Sequence, residues 1–231
     1  MPRKVRVLVP GCPHHIVQRG HNRNAVFVAD EDYQFYLENL LEWKQKLGIK
    51  LYGWCLMTNH IHLIVEPTGE PESLSQLMKR LSGRQAAYTN KLEGRCGSLW
   101  QGRFKASPIQ RDGYLLACLR YVELNPVRAG MVNAVEAYPW PSYRERAGIK
   151  TLALLDMDEG YLALGDTVQG RLMRYRRFLG EPSEPAEVNL IREGLQRNQL
   201  TGNSRFVDEV ERRTGIRIER RGRGRPVSDR T

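Results

Sequence analysis

Leu56-Met57-Thr58-Asn59-His60-Ile61-His62-Leu63-Ile64-Val65-Glu66 joins a turn-like Thr58-Asn59 to a run that alternates and then becomes apolar. Such a run reads as a strand, in which residues i and i+2 share a face. His60 and His62 therefore project together, roughly 7 Å apart at the backbone at about 3.3 Å per residue. Two imidazoles at that spacing can lean onto one metal ion, while Ile61 and Leu63 point the other way, into a core. The pair alone also fits two half-exposed histidines at a strand start. Upstream, Leu51 to Met57 is a second strand, and the two-residue link at Thr58-Asn59 suits a tight antiparallel hairpin.

Working outward, His14 to Gln18 is a short strand ending in Arg19-Gly20, followed by a polar turn around Arg23. Adjacent strand residues face opposite ways, so at most one of His14 and His15 can join His60 and His62. Asp30 to Leu47 has the pattern of a helix capped by Asp30 and ended by Gly48. Ser73 to about Glu93 is a second helix, and Lys105 to Gln110 a strand. Asp112 caps a third helix that Pro126 ends. Leu99-Trp100-Gln101-Gly102-Arg103-Phe104-Lys105 interleaves aromatic and basic residues, which suits stacking on bases and equally suits a strand edge with a buried Trp. The order strand, helix, strand, strand, helix, strand, helix predicts a two-layer α+β domain with a mostly antiparallel sheet.

Residues 1–150 are expected to form that domain, 151–182 a helical extension, and 183–231 a helical, basic C-terminal region. Pro185 to Asn198 and Ser204 to Thr214 read as two short helices of helix-turn-helix size. The formal net charge is +10 and the pI about 9.7, a field that favours a polyanionic partner such as nucleic acid. The excess concentrates at the end, where Arg212 to Thr231 carries eight arginines against Glu219 and Asp229. Arg223 and Arg225 sit in an Arg-Gly-Arg-Pro segment able to lie in a narrow minor groove. The four cysteines are far apart without a Cys-x-x-Cys pair, which argues against a zinc ribbon or a disulfide framework. No run of about 18 apolar residues exists, and the N-terminus lacks a signal-peptide core. A reducing cytoplasm is the expected location.

Arg120-Tyr121-Val122-Glu123-Leu124-Asn125-Pro126-Val127-Arg128 is the second informative stretch. Tyr121 and Asn125, four apart, share a helix face, and Tyr114 shares it too. A phenol can attack phosphorus when a metal activates the phosphate, and phenoxide leaves well enough to make the step reversible. His60, His62 and the Asn125 amide oxygen would form a mixed N/O site with open positions, suited to Mg²⁺ or Mn²⁺. The same residues also fit a core aromatic and a helix C-cap before proline.

These two motifs resemble the single-tyrosine HUH transposases, and more narrowly the REP-associated tyrosine transposases. His15-Ile16-Val17-Gln18-Arg19-Gly20, Leu99 to Phe104 and Tyr138-Pro139-Trp140 are similar to that family as well, and Thr58 departs from it where many members have Pro. The resemblance implies a ferredoxin-like nuclease core with His60 and His62 binding a divalent metal. It also implies Tyr121 as nucleophile, Asn125 as third ligand, and cleavage of single-stranded DNA beside palindromic hairpins through a 5′-phosphotyrosine. Arg19, Arg23, Arg103 and Lys105 are candidates for holding DNA, with Arg223 and Arg225 adding salt-sensitive affinity. The sequence leaves monomer and dimer open. Two rivals are an inactive hairpin-binding relative and a histidine hydrolase of the His-x-His-x-His kind, against which Ile64 counts.

Overall fold

The structure, a computed structural model, describes residues 6–218. The sheet is built from β1 (His14–Arg19), β2 (Ile49–Met57), β3 (His60–Pro67) and β4 (Lys105–Pro108) in the order β2-β3-β1-β4, with every pairing antiparallel. Met57 pairs with His60, so the link between β2 and β3 is the expected two residues, Thr58 and Asn59. Helices α1 (Asp30–Lys46) and α2 (Glu72–Leu92) cross over between strands, which gives the ferredoxin-like order. Both pack on the face that carries Ile16, Leu63 and Trp54, and burial of Leu40, Leu77 and Leu81 against these holds the two layers together.

The sheet's other face is covered by α3 (Arg111–Glu123), which makes a third layer. Gly53 on β2 permits the close approach: a Cβ there would stand 2.6 Å from Leu119 Cδ2. Asp112 and Gly113 are not helical, and Gly113 has φ +88°, so the regular turns of α3 begin only after it. α3 ends at Glu123 with Leu124 as its C-cap, ahead of the proline as expected, and a further helical turn opens at once around Pro126. The proline sits in the first turn of this new short helix, α4 (Asn125–Arg128), where its missing N–H costs nothing.

The caps also differ from expectation. Asp32, not Asp30, secures the start of α1 by accepting from the backbone of Val28 (2.7 Å) and Ala29 (3.0 Å). Pro71, not Ser73, precedes α2. The Tyr138-Pro139-Trp140 segment packs back on the domain, with Trp140 stacked on Tyr33 at 4.4 Å between centroids. After α5 (Tyr143–Arg146) and α6 (Glu159–Leu162) come α7 (Val168–Gly180), α8 (Pro185–Arg197) and α9 (Ser204–Thr214). α9 buries Phe206 and Val210 against Val7, Val9 and Cys12, in a small core separate from the main one.

Both edges of the sheet are closed by other parts of the chain. Along β2, Leu56 N–H donates to Trp140 O (3.1 Å), and Ser142 and Asp156 donate to Trp54 and Leu51. Along β4, Thr201 N–H donates to Pro108 O (2.8 Å), Gln110 N–H donates to Thr201 O (2.8 Å), and Ala106 N–H donates to Asn198 Oδ1 (3.0 Å). This link between α8 and α9 is therefore tied to the sheet. Among the described residues no helix is long and apolar enough to cross a membrane, and all four cysteines are free.

Candidate functional site

The β1–β3 register decides what gathers on the α3 face. Val17 pairs with His62 and Arg19 with His60, so His15, Val17 and Arg19 share that face with His60, His62 and Ile64. The His60 and His62 rings lie 5.1 Å apart between centroids. The ring of Tyr121 on α3 is 6.2 Å from that of His62, in an edge arrangement. Asn125 Nδ2 donates to Tyr121 O (3.2 Å), so the nitrogen end of the amide is committed to the helix and its oxygen is the ligand-capable end. His60, His62, Tyr121 and Asn125 line one cavity of about 740 Å³. The four residues singled out in the sequence are thus brought together within one chain.

Burial keeps the imidazoles neutral. His60 is pushed down to about 4, first by desolvation and then by Arg19 opposite it. His62 lies well below its ordinary value, through desolvation and then the neighbouring His15 and His60. His60 Nδ1 donates to Asn59 Oδ1 (2.7 Å), which leaves Nε2 as its lone-pair nitrogen. His62 Nδ1 is 2.8 Å from His15 Nε2.

The basic candidates divide. Arg19, Arg103 and Lys105 line the cavity, whereas Arg23 lies on the adjoining turn, where its carbonyl accepts from Asn59 Nδ2 (3.0 Å). Arg223 and Arg225 lie outside the described residues. Trp100 and Phe104 are buried, and Trp100 Nε1 donates to Ser82 O (3.0 Å), so these aromatics belong to the fold and not to a base-stacking platform. Tyr114 packs against the core. Glu123 is buried with Arg146, accepting from its Nε (3.3 Å), from Ser142 Oγ (2.6 Å) and from Tyr175 Oη (2.8 Å). It anchors α3 from behind while Tyr121 and Asn125 face the cavity.

The family model described as transposase IS200-like matches residues 8–125, a span that holds the whole sheet, both histidines, Tyr121 and Asn125. The chain belongs to the IS200-like transposase family. A Haemophilus influenzae protein described as a REP-associated tyrosine transposase is 28% identical to this family member over 101 residues, covering 38% of the chain and 56% of the relative. The chain thus spans just over half the length of that curated relative. A solved REP-associated tyrosine transposase, bound to a REP hairpin, superposes with a TM-score of 0.56 at 19% identity over 68% of this chain and 90% of that one. That likeness concerns the fold, which has the ferredoxin-like architecture expected.

In this member of the family, several cavity residues fall beyond the matched span or escaped the sequence motifs. Arg192, Leu195 and Gln196 of α8 supply one wall. The helix is fixed there by the Arg120–Glu187 ion pair (3.0 Å) and by Lys105 Nζ donating to Gln196 O (3.1 Å). Gln18 and Gln101 are further lining residues. Nothing in the local sequence marks α8 as part of a site, because the cavity brings together residues some seventy positions apart, such as Tyr121 and Arg192. His15 was legible only as one of two options, until the register chose it.

A divalent ion fits the donor set. His60 has its Nδ1 tied to a side-chain oxygen, as metal-ligating histidines commonly do, and the neutral state of both rings is the ligand state. Among the described residues no group of three or more His, Cys, Asp and Glu side chains is placed to hold a metal. A third protein donor would therefore be an amide such as Asn125.

Proposed function

We propose that this chain is a metal-dependent single-stranded DNA endonuclease and strand transferase acting at palindromic hairpins. The catalytic unit is residues 1–150, with 151–182 a helical extension and 183–231 a basic C-terminal region. The observation that supports this most is the convergence of Tyr121, His60, His62 and Asn125 on one basic cavity.

In this reading His60, His62 and Asn125 hold Mg²⁺ or Mn²⁺, whose contribution when bound is to withdraw charge from the scissile phosphate. Arg19, Arg103 and Lys105 hold the flanking phosphates, aided by Arg223 and Arg225. Tyr121 Oη attacks phosphorus in line. The Oη–P bond forms, the P–O3′ bond breaks, the phenol proton is lost and the departing O3′ gains one. The products are a 5′-phosphotyrosine and a free 3′-hydroxyl. Attack by a second 3′-hydroxyl reverses the bond change, so no nucleotide cofactor is consumed. The family relative solved on a REP hairpin makes hairpin DNA the first substrate to try.

The test is a denaturing gel of the protein incubated with a labelled single-stranded hairpin oligonucleotide from beside its own gene, with Mn²⁺ or EDTA. A covalent band that needs Mn²⁺ and is lost in Tyr121→Phe and His60→Ala supports the proposal. Tight hairpin binding that ignores metal, with no band, would instead identify an inactive hairpin-binding relative.

A further inference from the structure

We propose that His15 is a positioning residue that sets which nitrogen of His62 faces the cavity as a lone pair, and thereby sets metal affinity. The inference deepens the proposed function and rests on it. His15 is fully buried and lies behind His62. Its Nε2 is 2.8 Å from His62 Nδ1, and a single proton occupies that gap. With the proton on His62 Nδ1, the Nε2 of His62 is bare and can ligate. With the proton on His15 Nε2, neutral His62 carries its hydrogen on Nε2 and cannot.

The neighbouring His14 shows what a purely structural buried histidine looks like in this chain. Its Nε2 accepts from Val9 N–H (3.1 Å) and its Nδ1 donates to Cys12 O (2.7 Å), so both nitrogens are satisfied and its tautomer is fixed by backbone. His15 has no such pair of anchors: among the described residues its buried Nδ1 has no hydrogen-bond partner, and its one ring bond goes to His62. In the ligand-ready arrangement this orphan nitrogen must carry a hydrogen, which disfavours that arrangement until an ion selects it. The two rings therefore change tautomer together. His15 also meets the ring of Tyr121 edge-on, 5.7 Å between centroids, so one buried side chain touches both halves of the site. It is not a third ligand, because the nitrogen nearest the site is already used by His62.

Calorimetric titration of the full chain with Mn²⁺ tests this, using wild type, His60→Ala, His15→Leu and His15→Gln, each checked for its melting transition. The expected result is binding by wild type, none by His60→Ala, and about 10- to 100-fold weaker binding by His15→Leu. His15→Gln, whose Oε1 stands where Nε2 stood and can accept from His62 Nδ1–H, should return to within about threefold of wild type. Equal affinity in wild type and His15→Leu, with His60→Ala inactive, would overturn the role of His15 and leave the metal site standing. No Mn²⁺ binding by wild type would overturn both. Nitrogen-15 spectra of the histidine rings in Zn²⁺-loaded wild type give a readout independent of any variant's folding. A protonated His62 Nδ1 and a coordinated Nε2 support the proposal, and a bare or coordinated Nδ1 overturns it.

Discussion

Arg128 lies over the ring of Tyr121, its guanidinium carbon 4.0 Å from the ring centroid, and the same side chain donates to the Tyr121 carbonyl. The short α4 turn is what folds residue 128 back over residue 121. A cation stacked on a phenol holds the ring in one orientation and favours negative charge developing at its oxygen. Removing it should cost about 0.5–2 kcal/mol of that stabilisation. Arg128→Ala is therefore expected to slow formation of the covalent DNA adduct by about tenfold while hairpin affinity falls less, which time courses at saturating oligonucleotide would check.

Metal removal gives the second prediction. Incubation with EDTA should abolish the adduct, and added Mn²⁺ should restore it. Asn125→Ala should weaken Mn²⁺ binding without the complete loss expected of His60→Ala, because in the proposed site the amide oxygen is one of three donors and the imidazoles are already neutral and placed. Calorimetry with Mn²⁺ separates the two variants.

Glu123 and Arg146 supply the third. Both are buried, and the carboxylate is also bonded by Ser142 and Tyr175. Breaking such a pair leaves an uncompensated charge in the interior, which costs about 3–5 kcal/mol. Arg146→Met should lower stability by that order in urea unfolding, whereas replacing both partners by apolar residues of similar volume should recover much of the loss.

Acid sensitivity follows from His14. Burial holds it at about 4 against an ordinary 6.5. A depressed histidine contributes stability that is fully present above the unfolded value and is lost as pH falls through the window from 6.5 to 4. Protonation would put a hydrogen on the Nε2 that accepts from Val9. The loss should reach about 3 kcal/mol near pH 4, read from denaturant midpoints between pH 7 and 4. His14→Gln should flatten that slope by its share.

Arg19, Arg103, Lys105 and Arg192 line one cavity. If they meet phosphates, each substitution by Ala should weaken hairpin binding without changing its sequence preference, and reduce the slope of log affinity against log salt by about one. Arg23→Ala, off the cavity, should change the slope least.

Much of the fold was legible because its signals are local. The alternation from His60, the two-residue link and the helix-ending glycines fix element order, and that order with a hairpin between β2 and β3 leaves few ways to arrange the sheet. The His60–His62 and Tyr121–Asn125 spacings were readable for the same reason. What could not be read depends on register and on distant contacts. Which of His14 and His15 joins the site is decided by a one-residue choice of pairing with β3. The burial of Trp100 and Phe104 depends on the depth of the layer beneath them. The α8 wall depends on a docking made by Glu187, Gln196 and Asn198 to residues far upstream.

The tether of Asn198 and Thr201 to β4 has a consequence for how the molecule comes into being. The sheet's outer strand is only four residues long, and its outward-facing groups stay open until a segment some ninety positions later arrives. A chain leaving the ribosome from its N-terminus can pair β1, β2 and β3 early. It then carries the histidines and the tyrosine for the time needed to make the last third of its length before the cavity acquires its final wall. Closure of that cavity is thus a late event of synthesis, brought about by a part of the chain that the shared family core does not contain.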